Sequence, residues 1–120
     1  MIPVSICIIA KNEEKYIGEC LKRLTKYGME IIVTDTGSTD RTKEIASRYA
    51  SKVLDFQWVE DFSAARNFCA ENASNNWILA LDCDEYVENI DVRKLRMCMQ
   101  KFAKKTGIVK LRNAAYRYDG

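Results

Sequence analysis

The sequence predicts an α/β protein in which a mostly parallel sheet is covered by helices on both faces. Three observations predict it. Short runs of β-branched and apolar residues recur, and their apolarity is too continuous for strands with one wet face. Segments with helical i, i+3, i+4 spacing lie between them. Strand-like and helix-like segments alternate in order, as a parallel sheet with crossover helices requires.

Residues 3–10, from Pro3 to Ala10, form the first predicted strand. It stops at Lys11-Asn12-Glu13-Glu14, where Asn12 is expected to cap the next helix with Glu13 and Glu14 near its positive end. Ile17, Cys20, Leu21 and Leu24 give that helix one apolar face, Glu19 and Arg23 pair on another, and Gly28 ends it. Residues 30–35 are a second buried strand, ending in Asp35. Thr36-Gly37-Ser38-Thr39-Asp40 is turn chemistry, and Ser38, Thr39 or Asp40 is expected to cap a helix that buries Ile45, Ala46 and Tyr49. Residues 52–56 make a third, weaker strand.

Asp61 or Ser63 starts a third helix with Ala65, Phe68, Cys69 and Ala73 facing inward, and Ser74-Asn75-Asn76 breaks it. Trp77-Ile78-Leu79-Ala80-Leu81 is the fourth strand and runs into Asp82-Cys83-Asp84-Glu85. A helix from about Asp91, burying Val92, Leu95, Cys98, Met99 and Phe102, and a strand over residues 107–112 complete the order. No repeat or linker interrupts it, so residues 1–120 read as a single domain.

Composition excludes several function classes. With 48% hydrophobic residues the chain buries a core, and a net charge of +2 from well-mixed signs gives no nucleic-acid footprint. The absence of histidine removes His-based metal sites and Ser-His or Cys-His catalysis. Cys7, Cys20, Cys69, Cys83 and Cys98 are odd in number, widely spaced and without a CxxC pair, which suggests reduced, buried thiols in a cytoplasmic protein. No signal peptide is visible, and no apolar run approaches the roughly 20 residues of a membrane span. The expected location is the cytoplasm, or the inner face of the membrane.

In parallel sheets of this kind, ligands bind beyond the carboxyl ends of the strands, where strand order switches. Three such ends carry polar clusters here: Lys11-Asn12-Glu13, Asp35-Thr36-Gly37-Ser38 and Asp82-Cys83-Asp84-Glu85. Two carboxylates one residue apart in a turn both reach one hard cation, which suits Mg²⁺ or Mn²⁺ and, through it, a phosphate. Glu85 concentrates further negative charge there, which a cation relieves. The competing use of such acids is to solvate a turn. Asp35 at its strand tip suits hydrogen bonding to a nucleobase, while Gly37, Ser38 and Thr39 serve the turn in any case. Neither G-x-G-x-x-G nor a Walker lysine occurs, so no Gly-rich phosphate cradle is expected. Arg66, early in the third helix, is either a surface charge or a contact to a nucleotide. Glu13 is divided in the same way between capping and ligand. Trp58 and Trp77 read as core, the basic run from Lys101 to Lys105 as a solvated helix end, and Cys83 between two acids as no nucleophile.

Taken together, Val4-Ser5-Ile6 through Lys11-Asn12-Glu13-Glu14, Asp35-Thr36-Gly37-Ser38-Thr39-Asp40-Arg41-Thr42, Phe62-Ser63 with Arg66-Asn67, and Trp77 through Glu85 resemble the family 2 glycosyltransferases. The likeness is to the bacterial branch with K-N-E, D-T-G-S-T-D and L-D-x-D-E signatures, and covers roughly residues 3 to 90. It implies the GT-A fold, a nucleotide-sugar-binding α/β sandwich, and metal-dependent, mostly inverting transfer from a nucleoside-diphosphate sugar, here a UDP-sugar, to a saccharide, lipid or protein acceptor.

By position, the resemblance places Asp35 at the nucleoside base, Glu13 near the nucleoside and Arg66 near the nucleotide. It places Asp82 at the ribose and the metal, and Asp84 as the ligand of a Mn²⁺ or Mg²⁺ ion on the diphosphate. Ala10, Asn12, Gly37 and Ser38 join them as donor-binding residues. Thr36 departs from relatives that have an acid there to read the base. The family's general base lies in the acceptor-binding half, and no carboxylate after Glu85 matches its motif, so the base is expected beyond Gly120. The chain then reads as a donor-binding half whose acceptor half is missing and whose exposed sheet edge favours self-association. The rival readings are a non-catalytic nucleotide-sugar-binding or interaction module, and a D-x-D phosphohydrolase with Asp82 as nucleophile. Phosphohydrolase motifs of that type normally follow the first strand rather than the fourth.

Overall fold

The computed structural model describes residues 4–57, 60–75, 77–82, 93, 97 and 107–110. Among the described residues five strands form one parallel sheet: β1 (Val4–Ala10), β2 (Glu30–Asp35), β3 (Lys52–Asp55), β4 (Trp77–Asp82) and β5 (Gly107–Lys110). Their order across the sheet is β3-β2-β1-β4-β5. The chain winds outward from β1 in one direction as far as β3, then returns past β1 to lay down β4. The switch in strand order therefore falls between β1 and β4, the place where such sheets hold ligands.

The helices α1 (Ile17–Leu24), α2 (Thr42–Ala46) and α3 (Phe62–Glu71) make the crossovers. On one face, Val4, Ile6, Ile8 and Ala10 of β1, Ile31 and Val33 of β2, and Leu79 and Leu81 of β4 pack with Ile17, Cys20, Leu21 and Leu24 of α1 and Ala46 of α2. On the other, Cys7, Ile32 and Ile78 meet Cys69 of α3. Alternate residues of β1, β2 and β4 thus supply opposite cores, which is why these strands are apolar nearly throughout. Phe56 and Phe68 stack at 5.0 Å between ring centroids, joining the end of β3 to α3. Trp77 is partly buried against the larger core, as expected, whereas Trp58 lies outside the described residues.

The free thiols of Cys7, Cys20 and Cys69 are buried. A hydrogen bond to Cys69, together with burial, pushes the Cys7 thiol far up, so it is protonated at neutral pH. Cys83 and Cys98 lie outside the described residues.

Where both limits of a predicted strand are described, as for β2 and β3, they hold to within a residue, and Glu19 pairs with Arg23 at 3.2 Å. Gly28 takes left-handed backbone, φ 68°, at the end of a 3-10 turn, Thr25–Tyr27, that continues α1. Asp61 caps α3 by accepting from the amides of Ser63 (2.9 Å) and Ala64 (3.3 Å). The other two caps need correction. Tyr16 occupies the first cap position of α1 and makes no side-chain cap bond, because Asn12 is drawn away to the loop after β2. At α2 the cap position is Arg41, and Ser38 and Thr39 bond elsewhere, but the Asp40 carboxylate accepts from the Thr42 amide at 2.9 Å. Ala46 is fully buried there, while Ile45 and Tyr49 are half-buried.

Of the helix expected from Asp91, Arg93 and Met97 are described; both are helical and exposed, one turn apart on a single face. Its apolar residues Val92, Leu95, Cys98, Met99 and Phe102, and the basic run 101–105, lie outside the described residues. β3, an edge of the sheet among the described strands, is four residues long with Lys52 and Asp55 at its ends. Such an edge is a short one for the self-association the sequence suggests. No helix among the described residues is long and apolar enough to cross a membrane.

Candidate functional site at the carboxyl ends of the strands

β1 lies between β2 and β4, with Ala10 opposite Asp35 on one side and Ile9 opposite Asp82 on the other. Two strand spacings separate Asp35 from Asp82, about 10 Å across the sheet. Parallel strands leave all three tips on one edge, so Ala10, Asp35 and Asp82 share it as the sequence predicts. α3 follows the carboxyl end of β3, so its first turn starts from that edge, and Arg66 stands midway along the helix.

Asp35 is only 3% exposed although it is an acid. Its burial is tolerated because the turn satisfies most of it: Oδ2 accepts from the amides of Gly37 (3.1 Å) and Ser38 (2.9 Å), and Oδ1 accepts from the Ser38 hydroxyl. Gly37 makes the turn with φ 110°. The Asp35 carbonyl also accepts from the Phe56 amide at 2.9 Å, which fixes the strand end itself.

The loop after β1 is bound into the loop after β2. The amides of Asn12, Glu13 and Glu14 donate in succession to Ser38 Oγ (2.8 Å), Thr42 Oγ1 (2.8 Å) and Asp40 Oδ2 (3.2 Å). Asn12 Oδ1 accepts in return from the Thr39 amide at 2.8 Å, and Glu14 Oε1 from the Arg41 amide at 3.4 Å. Thr42 is fully buried, and its hydroxyl donates a hydrogen bond to Asp40 Oδ1. The Asp40 carboxyl is held below the usual range, chiefly by that hydroxyl. Asn12 sits at φ 52°, a left-handed conformation that asparagine tolerates better than most residues.

Thr36 is buried, and both its amide (3.0 Å) and its hydroxyl (3.3 Å) donate to the Ala10 carbonyl. The position that sequence reasoning marked as lacking a base-reading acid is thus a tie between β1 and β2. Sequence reasoning missed Glu14, Asp40 and Thr42 as parts of this network. The S-T-D-R-T run after Gly37 was the available signal, but it also fits ordinary helix capping.

The chemical consequence concerns charge. A backbone concavity binds anions through free amides, and here the amides of residues 12–14, 36–39 and 42 are all committed to protein acceptors. This half of the edge offers hydrogen-bonding oxygen rather than a phosphate cradle. For Asp82 the structure describes the backbone, at the tip of β4; Cys83, Asp84 and Glu85 lie outside the described residues. Among the described residues no three His, Cys, Asp or Glu side chains gather as a metal site. The donor chemistry of Asp82 and Asp84, all carboxylate oxygen, fits a hard divalent ion.

Residues 5–118 match the family described as glycosyl transferase family 2. The chain belongs to that family. A TPR repeat-containing protein of Synechococcus elongatus is 45% identical over 85 residues, 71% of this chain and 21% of that protein. The lipopolysaccharide core biosynthesis glycosyltransferase LpsC of Rhizobium meliloti is 30% identical over 91 residues, 72% of this chain and 33% of its own. The chain thus spans a fifth to a third of the length of these two relatives. Among solved structures, glucosyl-3-phosphoglycerate synthase of Mycobacterium tuberculosis aligns with a TM-score of 0.60 at 22% identity, over 67% of this chain and 33% of that one. That enzyme was crystallised with Mn²⁺, UDP and glucosyl-3-phosphoglycerate. The likeness gives the fold, which is of the GT-A type.

Proposed function

We propose that this chain is the donor-binding part of a metal-dependent, inverting glycosyltransferase that takes a nucleoside-diphosphate sugar, a UDP-sugar in the first instance. The observation that carries the reading is the convergence of Ala10, Asp35 and Asp82 on one sheet edge at the β1–β4 switch point. A nucleoside laid across β1 spans from the β2 tip to the β4 tip. In this pose its base lies by Asp35, with Glu13 close to the nucleoside, Ala10 and Gly37 forming the floor, and Asn12 and Ser38 standing behind them in the donor-binding loops. The diphosphate then falls on the β4 side, where the amide-depleted β1 and β2 loops do not have to hold it, and Arg66 of α3 serves the nucleotide.

Asp84 and Asp82 would hold the ion, Mn²⁺ or Mg²⁺. Bound there, it would neutralise charge on the departing nucleoside diphosphate. The family and the Mn²⁺- and UDP-bound structural neighbour support this reading. The acceptor is a saccharide, lipid or protein group, and no residue of this chain is assigned as its general base.

Calorimetric titration of UDP and UDP-sugars with Mn²⁺ present tests the proposal. Wild type is expected to bind and Asp84→Ala to lose at least tenfold in affinity, about 1.4 kcal/mol. Equal binding by both proteins, or none by either, would count against it.

A further inference from the structure

We propose that Ser38 and Asn12 are positioning residues: they clasp the β1 loop to the β2 loop and thereby fix Asp35 in the orientation the donor meets. The inference rests on the donor-binding reading above and assigns these two residues a role other than direct contact. Ser38 is the shared point. Its hydroxyl donates to Asp35 Oδ1 while its oxygen accepts the Asn12 amide at 2.8 Å, so one side chain links the β2 carboxylate to the β1 backbone. Asn12 closes the ring by accepting the Thr39 amide at 2.8 Å. Bonds thus run between the two loops in both directions, from the Asn12 amide to the Ser38 side chain and from the Thr39 amide to the Asn12 side chain.

The geometry of Asn12 is part of the device. At φ 52° its amide and its side-chain oxygen both turn toward the β2 loop, and the left-handed conformation is maintained by what it bonds. Thr42 and Asp40 extend the clasp to the next two amides, which places Glu13 on a backbone held at both neighbours. A carboxylate that is nearly sealed from water, with three acceptances from the turn, has the remaining lone pair of Oδ1 set in direction before any ligand arrives. Such pre-organisation lowers the cost of binding.

The test separates positioning from contact and from general stability. Titrate wild type, Ser38→Ala, Ser38→Thr, Asn12→Ala and Asn12→Asp with UDP and, separately, with pyrophosphate, each with Mn²⁺, and follow amide hydrogen exchange of the ligand-free proteins. Loss of one orienting hydrogen bond predicts about a tenfold weaker UDP affinity in Ser38→Ala and Asn12→Ala. Pyrophosphate affinity should be unchanged, and the Thr and Asp variants should recover most of the loss. Exchange at the Asn12 and Thr39 amides should quicken in both alanine variants while α3 is unaffected.

Equal weakening for UDP and pyrophosphate would make the role merely structural and overturn the proposal. Weaker UDP binding with unaltered loop exchange would make Ser38 a direct contact, and would also overturn it. Wild type that binds no UDP would count against the donor reading instead. In that case the exchange data alone decide the clasp: rapid wild-type exchange at residues 12–14 overturns it, and protection lost in Ser38→Ala supports it.

Discussion

Gly37 and Gly28 both hold backbone with positive φ, 110° and 68°, and a Cβ on either meets nothing within 4 Å. With space available, replacement by alanine costs only backbone strain. Gly28 lies in the left-handed well, where an L-residue is strained by about 1 kcal/mol. Gly37 lies outside that well and should cost about 2 kcal/mol. Urea unfolding of Gly28→Ala and Gly37→Ala should show the larger loss at Gly37, and equal losses would mean that the turn at residues 36–38 relaxes. The sequence marks Gly37 clearly, since Asp-Thr-Gly between a strand and a helix is turn chemistry. Asn12 is harder to read. Its type and position fit a helix cap equally well, and the competing partners, Ser38 and Thr39, stand 26 and 27 residues away. Local pattern carries no information about which bond wins.

At the scale of elements, the amino ends of the strands are closed by a second polar group with no link to the candidate site. Glu30 at the start of β2 accepts from Ser5 Oγ of β1 (2.6 Å) and from the amide and hydroxyl of Ser74 (both 2.8 Å), and pairs with Lys52 of β3 at 3.5 Å. Lys52 also donates to the Asn72 carbonyl at 2.7 Å, so three strands and the turn before β4 meet at one carboxylate. Burial pushes the Glu30 carboxyl up, but the Ser5 and Ser74 hydrogen bonds and the Lys52 charge outweigh it and bring it down to about 2.

The sign of the linkage follows. A carboxyl depressed on folding contributes stability that is fully present above its unfolded pKa, near 4.5, and is lost as pH falls toward 2. The contribution is on the order of 3 kcal/mol. Wild type should therefore exceed Glu30→Gln in unfolding free energy at pH 6, with the difference shrinking steadily below pH 4.5. A difference constant from pH 6 to pH 2.5 would show that the carboxylate charge is not what the clamp uses. The strand itself was legible from its apolar run, and Glu30 reads there only as a polar start. Its partners come from three other segments that only the sheet order brings together.

For the whole molecule, the order β3-β2-β1-β4-β5 separates two ends with different work. The alternation of strands and helices made the parallel sheet legible, and with it the expectation that Lys11-Asn12-Glu13, Asp35 and Asp82 share an edge. The interlocking of the two loops was not legible, because it depends on which loops become neighbours. With the amino ends tied by Glu30, ligand-linked ordering belongs at the carboxyl ends, where the polar tips and the β1–β4 switch point coincide. Hydrogen exchange with and without UDP and Mn²⁺ should show this asymmetry. Slowing is expected at residues 11–16, at 36–42 and just beyond Asp82. Residues 28–31, 51–53 and 72–75 at the opposite end should exchange as in the free protein. Protection at the Glu30 end instead would move the ligand to the other side of the sheet and remove the topological argument for the site.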